Sequence, residues 1–348
     1  MKRYFFILLL LSTTFPVFSQ ENTLIVFYNV ENLFDIYDDP AIDDQEFLPG
    51  ARIAWTHDRY DQKLANLAKV ISSMKEEGIP SVIGLCEIEN RKVLDDLVHQ
   101  PLMKKGKYQV VHYDSPDERG IDVALIYRKQ DFTVFRSAAI PVNLNPEFED
   151  KTRDILYVCG AFKSAPQDTV HLFVNHWPSR SEGKAESEPK RAIAATTLRS
   201  AVDSLFALNK DARIILITPM QRVDFVYINN FENNAWGSYK DKNGQSLAAF
   251  AEAIKAIGKL EKFDVVDLYN APELKTETLV KFKRLKDPQT GEYKNYPFPQ
   301  FTEIPFNPKT DEYPYPTDAI DMTYDGLHPS DKGYRIIADM LIDILKAY

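Results

Sequence analysis

Cysteine is nearly missing: only Cys86 and Cys159 occur in 348 residues. Both sit inside apolar, strand-like runs, so buried free thiols are expected and no disulfide is required. No Cys/His spacing of a zinc site is present. Positive charge is short as well, with 42 Lys and Arg against 51 Asp and Glu. That balance is a poor footprint for gripping a polyanionic backbone. It favours a small phosphoester, a phospholipid-like head group or a sugar over bulk nucleic acid, though a local basic patch would still suit a nuclease. Long apolar runs are lacking, since the Tyr4–Leu11 stretch is too short to span a bilayer comfortably. No low-complexity tract occurs. What is left is the composition of a folded chain, 44% hydrophobic and 12% aromatic, long enough for one large domain or two ordinary ones.

Met1-Lys2-Arg3 heads the Tyr4–Leu11 run, and Val17-Phe18-Ser19 precedes Gln20. A basic head, a short apolar stretch and a small-residue exit describe a secretory signal over residues 1–19, cleaved after Ser19. The mature chain is then exported, periplasmic or extracellular, with no stable membrane span. The plainer alternative is a buried N-terminal strand. No cysteine stands near the cleavage point, so no lipid anchor is indicated there. Without Lys2 and Arg3, 40 basic residues face 51 acidic ones, a balance of −11.

The stretch Ile83-Gly84-Leu85-Cys86-Glu87 reads as a buried strand that begins after Pro80 and ends on a carboxylate. Alternation puts Leu85 and Glu87 on one face, Cys86 and Ile88 on the other. Taken alone, Glu87 is as well explained by a strand end reaching water. Its company decides: Tyr28-Asn29 closes another apolar strand, and Asn175-His176-Trp177 a third. Asn, Glu and His at three strand ends suit a hard cation and a phosphoester. Between them, Asp35 to Asp58 reads as an acidic, solvated loop or one overhanging the site. Helical spacing appears from Leu64 to Met74 and from Ala194 to Leu205, and Ser181 to Lys190 reads as a polar loop at a cleft mouth.

Four stretches together resemble the endonuclease/exonuclease/phosphatase superfamily: Phe27-Tyr28-Asn29-Val30-Glu31-Asn32-Leu33-Phe34, Cys86-Glu87-Ile88-Glu89-Asn90, Arg119-Gly120-Ile121-Asp122-Val123-Ala124 and Asn175-His176-Trp177-Pro178-Ser179-Arg180. The resemblance covers about residues 22 to 215. It implies half of a two-sheet, four-layer α/β sandwich and an Mg2+ (or Mn2+) site. Glu87 is the implied principal metal ligand, with Asn29 beside it. His176 is implied to stabilise charge on a phosphoryl oxygen. Asp122 matches a position lining the family's site, or caps a turn. Arg153 and Arg180 are suited to clamp phosphate by their planar fork; for Arg180 an ordinary surface ion pair is at least as good a reading.

After Arg213-Ile214-Ile215-Leu216-Ile217 the resemblance stops. A Gly-Asp-Phe-Asn-like motif is due there, and an Asp-His pair near the C-terminus; neither is present. Thr218-Pro219-Met220-Gln221-Arg222, and later Tyr324-Asp325-Gly326-Leu327-His328-Pro329-Ser330 before an amphipathic helix, resemble instead the closing half of SGNH/GDSL-type esterases. That resemblance covers about residues 212 to 348 and implies a partial three-layer α/β/α unit, with Asp325 orienting His328 as a catalytic base. A loop histidine beside a helix-start acid is the bland alternative. The family's Gly-Asp-Ser and Gly-x-Asn-Asp motifs are absent. The expected organisation is a signal over 1–19, a truncated nuclease/phosphatase-like part over 20–212 and an SGNH-like half over 213–348. The expected function is an exported metal-dependent phosphodiesterase or phosphatase, impaired because half its site is missing. The alternatives are a serine esterase acting on esterified carbohydrate, and a non-catalytic hybrid from recombination or a misjoined gene model.

Overall fold

The computed structural model describes residues 23–74, 79–146, 148, 151–179, 184–223, 226–230, 235–238, 247–307 and 309–346. The signal-like segment through Ser19 and the candidate Arg180 lie outside these. Contacts divide the chain into two compact units, Met1–Leu205 and Phe206–Tyr348.

The first unit opens with β1 (Ile25–Leu33), then α1 (His57–Ser73), β2 (Val82–Ile88) and α2 (Arg91–Val98). Strands β3 (Tyr108–His112), β4 (Asp122–Arg128), β5 (Phe132–Ile140), β6 (Ile155–Phe162) and β7 (Val170–Val174) follow, and α3 (Lys184–Leu208) comes last. One sheet has the order β1-β2-β4-β3, with β1 parallel to β2; the other is the antiparallel ladder β5-β6-β7. Val82, Cys86, Val123 and Leu125 from the first sheet pack on Phe132, Leu156, Val158 and Val174 from the second. On the outer face of the first sheet, Ile83, Leu85 and Ile88 meet Leu64, Leu67 and Ile71 of α1 and Leu94 and Leu97 of α2. On the outer face of the second, Ile155 and Phe173 meet Ala194 and Leu198 of α3. These residues make helix, sheet, sheet and helix layers, each apolar stripe covered by the next.

Three expectations change. Asp35 to Asp58 is largely exposed but anchored rather than merely solvated: Phe34 stacks on Phe47 at 4.0 Å, and Trp55 donates its Nε1–H to the Phe34 carbonyl at 3.0 Å. Burial of these rings orders an acidic sequence, and α1 begins at its end, at His57. The 184–190 stretch is the start of α3, because Lys184, Ala185, Glu186 and Glu188 are good helix formers despite Pro189. Finally, Leu85 and Ile88 share one core while Cys86 faces the other, so the alternation fails at Glu87. Cys86 and Cys159 are both buried free thiols, as expected.

In the second unit, β8 (Ile215–Ile217) is followed by β9 (Val226–Asn230), β10 (Ala235–Ser238), α4 (Leu247–Glu261) and β11 (Asp264–Val266). Next come β12 (Lys283–Lys286), β13 (Tyr293–Tyr296), β14 (Pro305–Phe306) and α5 (Asp331–Leu345). β8 and β11 are parallel neighbours, β12 and β13 form a hairpin, and β9 lies between β10 and β14. A core of Val266, Leu268, Leu274, Leu279, Phe301 and Phe306 receives Ile336, Ile337, Met340 and Ile344 of α5. The stretch from 281 to 323 carries the short strands β12, β13 and β14. Among the described residues no helix is long and apolar enough to cross a membrane.

Candidate functional site

Glu87 is an extra residue in its strand. Against β4, Cys86 pairs with Val123 and Ile88 with Asp122, and Glu87 is left between them as a bulge. Its backbone is left-handed, φ 64°, a conformation that costs an L-residue and is kept where surroundings impose it. A bulge re-aims a side chain, and here it turns the carboxylate out of the core. The facing strand is irregular too: pairing of β1 with β2 shifts between Asn29 and Leu33, and Glu31 and Asn32 are left-handed at φ 55° and 61°. The Lys63 ammonium fastens that turn by donating to the Glu31 carbonyl at 2.7 Å.

The two irregularities bring the site together. Asn29 Nδ2 donates to Glu87 Oε1 at 2.9 Å, and the Asn32 amide donates to Glu87 Oε2 at 3.0 Å. Asn29 Oδ1 accepts from the Glu31 amide at 2.8 Å. His176, just past the end of β7, puts Nε2 3.4 Å from Glu87 Oε1. Asn29, Glu87 and His176 line a cavity of about 530 Å³, with Phe27, Cys86, Arg119, Arg153 and Trp177 also on its wall. Burial, with the Arg153 charge behind it, pushes the His176 imidazole down to about 4 against the opposing pull of Glu87. The ring is therefore neutral at pH 7, with one N–H to donate. Its Nδ1 is buried and has no partner among the described residues. Burial likewise pushes the Cys86 thiol up to about 12, which leaves it a packing residue.

The cavity suits a hard divalent ion. Glu87 and Asn29 bring side-chain oxygens to one wall, and the space leaves room for the waters that Mg2+ retains. Asp122 is placed differently. Its side chain is buried, accepts from His112 Nε2 at 2.9 Å and from the Ser115 amide at 2.9 Å, and does not line the cavity. Its carboxyl is pushed up by burial, partly offset by those donors. His112, Asp114 and Asp122 offer ligand atoms within 4.8 Å of one another, but the His112–Asp122 hydrogen bond already uses the inner two.

Arg153 lines the cavity with its guanidinium bound inward: Nε to the His176 carbonyl at 2.9 Å, and its terminal nitrogens to the Trp177 carbonyl and to Asp117 Oδ2, each at 2.7 Å. Arg119 and Arg191 are cavity residues that sequence reasoning did not single out. Arg119 stood inside a quoted motif, and the Arg119-Gly120 pair within it was the available signal.

The family model described as "Endonuclease/Exonuclease/phosphatase family" matches residues 24–224. The chain belongs to this family. Enzymes of the endonuclease/exonuclease/phosphatase family are typically dependent on a divalent metal, in keeping with the oxygen donors of Glu87 and Asn29. Among solved structures, a possible lipase from Chitinophaga pinensis DSM 2588 is 51% identical, over 46% of this chain and 61% of that one, with a TM-score of 0.38. The human Nocturnin catalytic domain with bound sulfate is 20% identical, over 38% of this chain and 48% of that one, with a TM-score of 0.29. Truncated Caenorhabditis elegans TDP2 is 18% identical, over 43% and 51%, with a TM-score of 0.32. The chain spans between about half and three fifths of the length of these three. No curated protein matches.

In this family member the loop after β8 is tied to the segment that follows β11. Thr218 Oγ1 donates to Asp267 Oδ1 at 3.3 Å and accepts from the Tyr269 amide at 3.0 Å, and Gln221 spans the Tyr269 carbonyl and Thr276. In the same unit His328 Nδ1 lies 2.6 Å from Asp325 Oδ2, and Asp325 Oδ1 accepts the Leu327 and His328 amides at 3.0 and 2.8 Å. The His328 side chain is 70% exposed.

Proposed function

We propose that the chain is an exported, Mg2+- or Mn2+-dependent phosphoesterase of low turnover, acting on a small phosphoester or a phospholipid-like head group. One observation supports the site above all: Glu87, held in a left-handed bulge, meets Asn29 at 2.9 Å and His176 at 3.4 Å on the wall of one cavity. Glu87 and Asn29 would hold the ion, which when bound supplies positive charge at the phosphoryl oxygens. His176, neutral at pH 7, donates a hydrogen bond to a phosphoryl oxygen as charge builds there. Export rests on the Lys2-Arg3 head and the Tyr4–Leu11 run. The negative balance of the chain supports a small substrate over a nucleic acid strand.

Low turnover follows from what the chain does not carry. No Gly-Asp-Phe-Asn-like motif follows β8 and no Asp-His pair closes the sequence. A general base is typically worth about 10²–10⁴-fold, and without one the attacking water is poorly activated. The test is hydrolysis of bis(p-nitrophenyl) phosphate by the purified protein with MgCl2, with EDTA and as Glu87→Ala. Slow turnover that disappears in both controls is expected. Turnover indifferent to EDTA refutes the metal reading, and brisk Mg2+-dependent turnover refutes the impairment.

The 2.6 Å Asp325–His328 bond favours a second reading, an SGNH-type serine esterase acting on esterified carbohydrate. An aspartate-held imidazole is half of that machinery. The reading needs a serine, so labelling of the protein by a fluorophosphonate probe, lost in His328→Ala, is its test.

A further inference from the structure

Asp117 holds two arginines, and it holds them differently. Arg153 and Asp117 both have side chains only 4% exposed, and their 2.7 Å contact is out of water. With Nε on the His176 carbonyl and its second terminal nitrogen on the Trp177 carbonyl, each of the three Arg153 guanidinium nitrogens holds a protein acceptor. The Arg119 side chain is 53% exposed; its Nε lies 3.5 Å from Asp117 Oδ1, which also accepts the Arg119 backbone amide at 3.2 Å. Its two terminal nitrogens have no partner among the described residues, and it lines the cavity that holds Glu87 and His176. Its loop is pinned from below. Gly120 at φ 68° donates to the Asp117 carbonyl at 2.9 Å, and a Cβ there would lie 2.2 Å from Ile42 Cδ1. The Glu118 carbonyl accepts the Asp43 amide at 2.7 Å.

We propose that Arg119 is the residue that binds the substrate's phosphoryl oxygens, and that Arg153 is a positioning residue that fixes the backbone beneath His176 and Trp177. The proposal rests on the phosphoester reading of this cavity. Two guanidiniums share one carboxylate, which leaves a net positive charge to meet an anion. A guanidinium tethered at Nε keeps its two terminal nitrogens directed away from the tether, the pair that grips phosphate bidentately. The Asp117 tether and the pinned loop restrict the side chain before any ligand arrives, which lowers the ordering cost of binding. Arg153 has no such freedom: turning it toward a ligand would break its bonds to two part-buried carbonyls and strand the buried Asp117.

Titration calorimetry of inorganic phosphate into the Mg2+-loaded protein tests this, with melting temperature and near-UV circular dichroism recorded alongside. Arg119→Met is expected to lower phosphate affinity at least tenfold, with the Mg2+ affinity, melting temperature and spectrum of the wild type. Arg153→Lys keeps the charge but not the fork, and is expected to change the tryptophan signal and lower the melting temperature. Wild-type phosphate affinity in Arg119→Met overturns the proposal, as does a wild-type protein that binds no phosphate. Weakened phosphate binding in Arg153→Lys with an unchanged spectrum and melting temperature makes Arg153 the ligand and overturns it too. Phosphodiester turnover, assayed separately, keeps the two claims apart: turnover undiminished in Arg119→Met defeats only this assignment. Phosphate binding through Arg119 without any turnover defeats only the phosphoesterase reading.

Discussion

Asn29 and Glu87 are 58 positions apart in sequence, and Asn29 Nδ2 donates to Glu87 Oε1 at 2.9 Å. The contact exists because two neighbouring parallel strands lose regular pairing at the same level. It aims the Glu87 carboxylate and leaves the amide beside it. Asn29→Ala is therefore expected to weaken Mg2+ affinity by about 10–100-fold, the usual effect of removing a partner that orients a ligand. Calorimetry with MgCl2 measures it, and an unchanged affinity would place the ion elsewhere.

The left-handed backbone at Glu87 makes a prediction about stability alone. Glu87→Ala and Glu87→Gly both remove the carboxylate, but only glycine tolerates φ 64° without steric cost. The glycine variant is expected to be more stable than the alanine variant by about 1 kcal/mol in urea unfolding. The reverse order would mean that the bulge collapses once its side chain is gone.

Asp117 and Arg153 form an ion pair with both side chains 4% exposed. Removing one partner of such a pair leaves a buried charge, at a cost of roughly 3–5 kcal/mol. Asp117→Ala is expected to lose that much on denaturant unfolding. A loss below about 1 kcal/mol, the range of surface pairs, would show that water reaches the guanidinium.

Asp325 carries a pH signature. Burial raises its carboxyl, but the His328 amide, the His328 ring and the Leu327 amide together hold it below the ordinary aspartate value. A carboxylate depressed in the folded state adds stability above its unfolded value, about 3.9, and loses it as pH falls through the lower folded value. Asp325→Asn is thus expected to melt below the wild type at pH 7, with the gap closing as the pH falls below about 3.9. A gap independent of pH would mean that shape, not charge, holds the loop.

Much of the fold was legible because long apolar patterns report their own period. The β2 strand, the α1 and α3 stripes and the terminal helix with Ile336, Ile337 and Met340 came directly from spacing. Glu87, Asn29 and His176 could be grouped because each closes or follows an apolar strand. The bulge at Glu87 was not legible, since one inserted residue in a strand leaves no compositional mark. Nor was the ordering of residues 35–56, where Phe34, Phe47 and Trp55 are too widely spaced for any periodic signal. The different fates of Arg119 and Arg153 depend on Asp117, an unremarkable loop acid until the fold surrounds it.

With Glu87 left out, the strand reads Ile83, Leu85, Ile88 on one side and Val82, Gly84, Cys86 on the other, an unbroken alternation. The flanking pairs, Cys86 with Val123 and Ile88 with Asp122, are those of an ordinary ladder. Glu87 is therefore a parenthesis in a sentence that is grammatical without it. One inserted residue at this point separates a plain strand of the sandwich from one that turns a carboxylate into the cavity.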